Sequence, residues 1–382
     1  MTKKNIILHI LTSLDVGGAE LMLLNLLRNL DTTRFDNHVI SLVSPGRIAK
    51  KIKELGIQVD TLGLTSGVLS IPSIMRLNEV IRRVNPAVIH SWLYHADFLG
   101  GVTGALLRKP VIWAVHNTSL DPKYVKRSTI LIAKINALLS KYIPRKIVFV
   151  SETSYRIHAQ FGFNRDKSVV IPNGFDTSVF FPDQPSGIKI REEFEIESDA
   201  FLIGLIARFD PLKDHHSFIK AADILLKQYP NVHFLLCGRD ITYDNTELNS
   251  WISEIKLKSN IHLLGDRNDI PSIMNALDIH TLSSIGEAFP IVIGEAMACG
   301  VPNVATDVGD IAYLVGETGV IVPPKDPLAL AKGWMKMINL EAKERQKMGD
   351  RAYKRIEDQF NIVNITGQYE ILYQSIINQD LQ

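Results

Sequence analysis

The chain has 382 residues, more than the roughly 250–300 over which a single hydrophobic core grows, so two domains are expected. With 46% hydrophobic and 22% charged residues it has the composition of a soluble globular enzyme, and no apolar stretch approaches the ~20 residues that would cross a bilayer. The net charge is +1, but residues 1–183 carry 23 Lys+Arg against 13 Asp+Glu, and residues 184–382 carry 19 against 28. Either one half faces an anionic partner, or the two halves attract each other.

The basic, apolar start "MTKKNIILHILTSLD" imitates a signal peptide, but it contains His9 and reaches Asp15 without a small-residue cleavage site. A buried first strand at 5–11 is the better reading. Further β-branched runs follow at 37–43, 58–64, 88–93, 110–116, 146–151 and 167–173, with amphipathic helical patterns between them, such as 20–30 and 71–84. The theme repeats at 201–207, 232–238, 261–265, 278–284, 302–307 and 319–324, and helices close the chain from 327 to about 378. Strand alternating with helix predicts parallel sheets covered on both faces. The Pro-, Gly-, Asp- and Ser-rich stretch 172–187 reads as the domain boundary. The two cysteines, Cys237 and Cys299, lie in apolar segments and read as reduced, buried thiols of a cytosolic protein, with no disulfide framework and no zinc spacing.

Ligands of doubly wound sheets bind beyond the C-terminal strand ends, so the residues just after strands carry the chemistry. Gly17 and Gly18 follow the first strand and open a helix, which suits an anion or is an ordinary turn. His116 ends the fifth strand, either donating into a cleft or satisfied by local backbone. Arg208 and Lys213 flank a proline turn after 201–207; together they suit a diphosphate, or are two surface cations. In "GEAFPIVIGEAMACGVP" (286–302), Pro290 is placed as the first residue of a helix running to about Cys299. The free N–H groups of that helix would hold phosphate oxygens. Glu287 lies just before it, able to face hydroxyls, and Glu295 lies within it, able to accept two hydrogen bonds from a vicinal diol such as ribose. Gly294, Ala296 and Ala298 would let the helix pack closely on the sheet. The plainer alternative is a surface Glu at the helix start and an ion-paired Glu inside it.

Taken together, "GGAE" near the start, "HN" at 116–117, "IPNGFD" at the hinge, "ARFDPLKD" at 207–214, "GEAFPIVIGEAMACGVPNVATDVGD" and "GVIVPP" resemble, in that order, the retaining glycosyltransferases of the GT-B fold known as family four, whose signature is E-x7-E. The resemblance covers nearly the whole chain. It implies two Rossmann-like domains facing across a cleft: an N-terminal acceptor-binding domain (1–175, with the last helix, about 362–382, packed back on it) and a C-terminal nucleotide-sugar domain (176–361). It implies that Glu287 holds hydroxyls of the transferred sugar and Glu295 the ribose, and that Arg208 and Lys213 neutralise the diphosphate, helped by the amides of Phe289 and Ile291, with Ala288 and Pro290 also beside the donor. Gly17 and Gly18 would approach the phosphates, His116 the sugar near its reacting carbon, and the loop bearing Asp266 and Arg267 the base. Two departures from the family pattern are Asp310 in place of a second glycine and Ala207 before Arg208.

The implied reaction moves a hexosyl unit from a nucleotide-diphosphate sugar, with UDP the expected carrier, to a hydroxyl of a saccharide or lipid-linked saccharide, with retention, in surface polysaccharide or lipopolysaccharide assembly. No D-x-D stretch exists, so no metal or other cofactor is expected and the cations would take the metal's role. Residues 123–146 carry seven Lys/Arg and no acid, interleaved with Tyr, Ile and Leu, which suits an anionic membrane surface on the cytoplasmic side or a solvated helix with a buried apolar face. No nucleic-acid recognition motif accompanies this stretch. Two other readings share the cleft: a nucleotide-sugar 2-epimerase, and a non-catalytic nucleotide-sugar-binding partner subunit. A dinucleotide-dependent dehydrogenase would need a G-x-G-x-x-G turn, which is absent.

Overall fold

The structure, a computed structural model, describes residues 4–64, 71–256 and 258–380, so the last two residues of the closing helix expected at 362–382 lie outside it. The chain divides into two units, one of residues 1–174 with 362–382 and the other of residues 175–361.

The N-terminal unit runs β1 (Asn5–Leu11), α1 (Gly18–Asn29), β2 (Phe35–Ser41), α2 (Ile48–Glu54), β3 (Gln58–Thr61), α3 (Ile71–Val84), β4 (Val88–Trp92), α4 (Tyr94–Leu106), β5 (Val111–Val115), α5 (Arg127–Leu139), β6 (Lys146–Phe149), α6 (Glu152–Phe161) and β7 (Ser168–Val170). All its strands pair in parallel, in the order β3-β2-β1-β4-β5-β6-β7. The order reverses between β1 and β4, and β4 and its neighbour β5 are buried at every residue, as helices on both faces require.

The C-terminal unit runs α7 (Gln184–Glu193), β8 (Phe201–Ile206), a 3-10 turn (Pro211–Lys213), α8 (His215–Leu226), β9 (Val232–Cys237), α9 (Thr246–Ser253), β10 (Ile261–Leu263), α10 (Ile270–Ala276), β11 (Ile279–Leu282), α11 (Ile291–Ala298), β12 (Asn303–Thr306), α12 (Ile311–Val315), β13 (Gly319–Val322), α13 (Pro327–Ile338) and α14 (Ala342–Arg355). Its parallel sheet has the order β10-β9-β8-β11-β12-β13. A π-helical turn (Ile356–Phe360) leads into α15 (Ile362–Asp380), which belongs to the N-terminal unit and carries the buried Tyr369 and Tyr373.

Three expectations are corrected here. Helix α1 starts at Gly18, two residues before the expected 20, because extended Gly17 serves as its N-cap. Pro290 is the N-cap of α11 rather than its first residue: its ψ of 123° is extended, so the helix begins at Ile291. Only 127–139 of the basic stretch 123–146 is helical, since Asp121–Val125 closes its own turn, with the Val125 N–H donating to the Asp121 carbonyl at 2.9 Å. Among the described residues no helix is long and apolar enough to cross a membrane.

Candidate active site

In the C-terminal unit the order of strands reverses between β8 and β11, and the residues that follow these neighbours are bonded together. Asp210 accepts from the Leu212 N–H at 2.9 Å and so opens the 3-10 turn that presents Lys213. The loop after β11 clamps onto that turn: the Ile285 N–H donates to the Leu212 carbonyl at 2.8 Å, and the Ser283 hydroxyl donates to the Lys213 carbonyl at 2.8 Å. Lys213 then pairs with Glu287, whose Oε1 also accepts from the Ser284 hydroxyl at 2.7 Å. Arg208 donates twice to Asp210, at 3.1 and 2.9 Å. Burial works against the Asp210 charge, yet the Leu212 amide and Arg208 hold its carboxyl below the usual range. Both proposed phosphate cations therefore rest on carboxylates. A diphosphate with more charge than either carboxylate can exchange with them.

Helix α11 follows directly. Its first amides have no partner within the helix, which makes its start an anion site by geometry and dipole. Glu295 lies one turn in, and burial pushes its carboxyl up to about 7. The side chain of Phe289 is an anchor, buried against the rings of Phe175 (6.4 Å) and Phe360 (5.6 Å). Ala288 accepts the Asp310 N–H at 3.1 Å. Gly309, with φ +58°, lies so close that a Cβ there would stand 2.2 Å from the Glu287 carbonyl oxygen. The glycine that matters in "VGD" is thus the first, and it seats the Glu287–Ala288 backbone.

Gly294 does not face the sheet as expected. A Cβ there would fall 2.1 Å from the Phe175 ring, so the missing side chain makes room for that ring over α11. Gly294→Ala is expected to destabilise the unit by about 1–3 kcal/mol through overpacking. The loss would appear as a lower thermal midpoint that Phe175→Leu partly restores in the same chain. An unchanged midpoint would contradict this packing.

The loop with Asp266 and Arg267 lies at the same C-terminal sheet edge, where the Gly238 N–H donates to the Gly265 carbonyl at 2.8 Å. Asp266 is exposed. The Arg267 guanidinium is engaged by Asp269 at 2.8 and 2.6 Å and by Glu193 at 2.6 and 3.0 Å. Those bonds, Asp269 first, push its pKa up. Arg267 therefore fixes its loop to α7, and a ligand there would meet backbone more readily than this guanidinium.

In the N-terminal unit Gly17 caps α1 with Gly18 as its first residue, and a Cβ on Gly17 would meet a Glu20 carboxylate oxygen at 2.4 Å. A carboxylate already lies at this helix start. Gly46, with φ +58°, supports the same turn from behind, since a Cβ there would strike the Leu14 backbone at 2.2 Å. His116 follows β5, and burial pushes its imidazole down to about 3, so it is neutral at physiological pH. Its ring stacks on Trp92 at 5.1 Å and 30°. Its Nε2 is buried without a partner, as are the hydroxyls of Thr12 and Thr118 at the same sheet edge. Buried polar atoms without partners are rare in native structures and favour a site that a ligand completes. Among the described residues no group of three or more His, Cys, Asp or Glu gathers as a metal ion would require.

The family described as Glycosyltransferase Family 4 matches residues 16–179, and Glycosyl transferases group 1 matches residues 187–355. The UDP-Gal:alpha-D-GlcNAc-diphosphoundecaprenol alpha-1,3-galactosyltransferase of Escherichia coli is 23% identical, covering 79% of this chain and 78% of its own. The capsular polysaccharide biosynthesis glycosyltransferase CapM of Staphylococcus aureus is 24% identical, covering 80% and 81%. HepE from Anabaena, solved in complex with UDP-glucose, superposes with a TM-score of 0.84 at 23% identity, over 97% of this chain and 100% of that one. Two family matches that follow one another along the chain, one in each parallel α/β unit, together with this likeness of fold, identify the chain as a family-four-type glycosyltransferase with the GT-B fold.

Proposed function

We propose that this glycosyltransferase moves a hexosyl unit from a UDP-sugar to a hydroxyl of a saccharide or lipid-linked saccharide, with retention at the anomeric carbon, in the assembly of a surface polysaccharide or lipopolysaccharide. The observation that carries the reading is the group around α11: Lys213 against Glu287, Arg208 on its carboxylate, and Glu295 one turn inside the helix. The names of the relatives support the carrier and the acceptor class. The E. coli protein is named for a UDP-linked donor and a diphosphoundecaprenol-linked acceptor, and HepE was solved with UDP-glucose.

In this reading Glu287 exchanges Lys213 for sugar hydroxyls, while Lys213, Arg208 and the α11 amides take the diphosphate. The bond from the anomeric carbon to the diphosphate breaks, and negative charge grows on the departing oxygen where these fixed groups already stand. The acceptor oxygen bonds to the same face, and its proton passes to the departing phosphate oxygen, so no enzymic nucleophile is required. Glu295 accepts the ribose hydroxyls, Asp266 and the backbone beside Arg267 lie by the base, and His116, Gly17 and Gly18 serve the sugar and phosphates from the N-terminal unit. The cations take the role of a metal, and turnover is expected to persist in excess EDTA.

The test is incubation with a panel of UDP-hexoses and a short polyprenyl-diphosphate-linked N-acetylhexosamine, followed by proton NMR of the product. Retention gives an axial new linkage from an axial donor. An equatorial linkage would end the retaining reading, and an epimerised donor formed without any acceptor would replace transfer altogether.

The same proposal places the enzyme peripherally on the cytoplasmic face of an anionic membrane through α5. This helix buries Ile132, Ala133 and Ala137 yet leaves Leu131 58%, Leu138 71% and, just beyond it, Tyr142 81% exposed. Arg127, Lys134 and Lys141 share that outer face at three- and four-residue spacing. Apolar residues among cations on one exposed stripe suit an interface better than open water. The protein is expected to sediment with phosphatidylglycerol vesicles at low salt but not with phosphatidylcholine, and Lys134→Glu with Leu138→Ser to abolish this. Indifference to both vesicles at low salt would remove this part of the proposal.

A further inference from the structure

His116 does not stand alone. Its ring lies on Trp92, the last residue of β4, and Trp92 also meets His90, at 4.5 Å and 31°. His90 Nδ1 shares a hydrogen bond of 2.8 Å with the Tyr373 hydroxyl of α15, and Tyr369 from the same helix lies over Trp92 at 6.5 Å and 25°. The Trp92 indole N–H donates to His9 Nδ1 at 3.4 Å, and the far nitrogen of His9 meets Asn37 at 3.2 Å. His9, His90, Trp92, Tyr369 and Tyr373 are all fully buried.

The backbone fixes the end of this stack. Trp92 pairs with Ala114 on β5, two residues before His116. The next residue, Leu93, has φ 72° and ψ 154°, a region near that left almost entirely to glycine, and its N–H donates to the Ala114 carbonyl at 2.9 Å. Such strain persists only where the surroundings over-determine it, and here it turns the chain sharply just after Trp92. The tryptophan is held by its indole N–H, by ring contacts with His90 and Tyr369 and at its backbone, whereas His116 has a buried nitrogen with no partner.

We infer that Trp92, backed by His90 and Tyr373 of the C-terminal helix, is a positioning residue that sets the orientation of the His116 ring for transfer. This rests on the reading that His116 meets the sugar. A neutral imidazole with no hydrogen bond to fix its Nε2 is oriented by packing alone, and a misplacement of about 1 Å near reacting atoms costs as much as 10²-fold in rate. The final helix of the chain thereby acts on a residue far away in sequence without touching substrate.

The test is a double-mutant cycle on the full chain, read as kcat and donor KM for release of UDP from UDP-glucose, UDP-galactose or UDP-N-acetylglucosamine, whichever is turned over. Trp92→Leu is expected to lower kcat about 30-fold with donor KM within about twofold, Trp92→Phe to keep most of kcat, and Trp92→Leu to cost nothing further in a His116→Ala background. If the two losses multiply, Trp92 acts through the fold and the inference falls. If His116→Ala is slow and Trp92→Leu is not, the inference alone falls. If His116→Ala is itself fully active, the reading of His116 falls first. Where Trp92→Leu fails to fold, or no donor turns over, NMR of selectively labelled histidine decides. The His116 ring protons should resonate upfield over the indole face and move in Tyr373→Phe, and ring signals at free-histidine positions would overturn the stack.

Discussion

Lys213→Ala is expected to lower kcat for sugar transfer by about 10²–10³-fold, the loss found when one pre-placed group for developing charge is removed. The reason lies in what surrounds the ammonium. It is held by the backbone of a 3-10 turn that is itself bonded to the loop after β11, and it rests on Glu287. In the proposed reading the ammonium exchanges that carboxylate for a diphosphate, whose charge increases as the bond breaks. Lys213→Arg should recover only part, because a planar fork does not reproduce a point charge beside Glu287. Arg208→Ala is expected to fall in the same direction but less far, as Arg208 is the more exposed of the two cations. Steady-state release of UDP measures both, and kcat unchanged in Lys213→Ala would remove the cation from the mechanism.

Donor affinity is expected to rise with pH through about 7 and then level off, and Glu295→Gln to abolish that slope. Burial holds the Glu295 carboxyl near 7 in the free protein. The proposed acceptance of two ribose hydroxyls would favour the carboxylate, so binding below that pH should release a proton and affinity should increase up to tenfold per unit. Each hydrogen bond to a charged acceptor contributes about 1.5–3 kcal/mol, so Glu295→Gln should also weaken the donor by roughly 10–100-fold at pH 8. The same shift has a consequence for stability of opposite sense. A carboxyl raised in the folded state contributes stability that is present below its unfolded value of 4.5 and is lost as pH rises through about 7. Glu295→Gln should therefore melt higher than the parent at pH 8 and converge with it near pH 4. Calorimetric titration at pH 6, 7 and 8 checks the first statement, and a flat parent profile contradicts it.

The strands were legible because sheets buried on both faces need unbroken β-branched runs, and those runs lie where the ladders are. Their ends were less so. Val43 and Leu64 lie past the last regular pair of β2 and β3, but their N–H groups still donate to Thr12 and Leu42 at 2.9 Å, so the apolar pattern continues beyond the strand. Glu287, Glu295, Arg208 and Lys213 could be singled out from the sequence as candidates because each follows a strand or lies just before or within a helix that does. Their carboxylate partners, above all Lys213 on Glu287 across 74 positions, could not. Nor could Gly309 beneath Glu287, Phe175 over Gly294, or Tyr373 bonded to His90 across 283 positions. Such residues act by close approach or stacking between distant segments, and nothing local marks them. Arg267 shows the converse. The resemblance alone assigned its loop to the base, and its carboxylate neighbours Glu193 and Asp269 engage its guanidinium.

The most direct measurement is the thermal midpoint of the parent and of Glu295→Ala in EDTA, with UDP, UDP-glucose, UDP-galactose and UDP-N-acetylglucosamine at millimolar concentration. A ligand that binds only the folded state raises the midpoint by mass action. One UDP-sugar should stabilise the parent, and the variant should lose that response. No shift of the parent with any nucleotide or nucleotide sugar would contradict a donor site at α11.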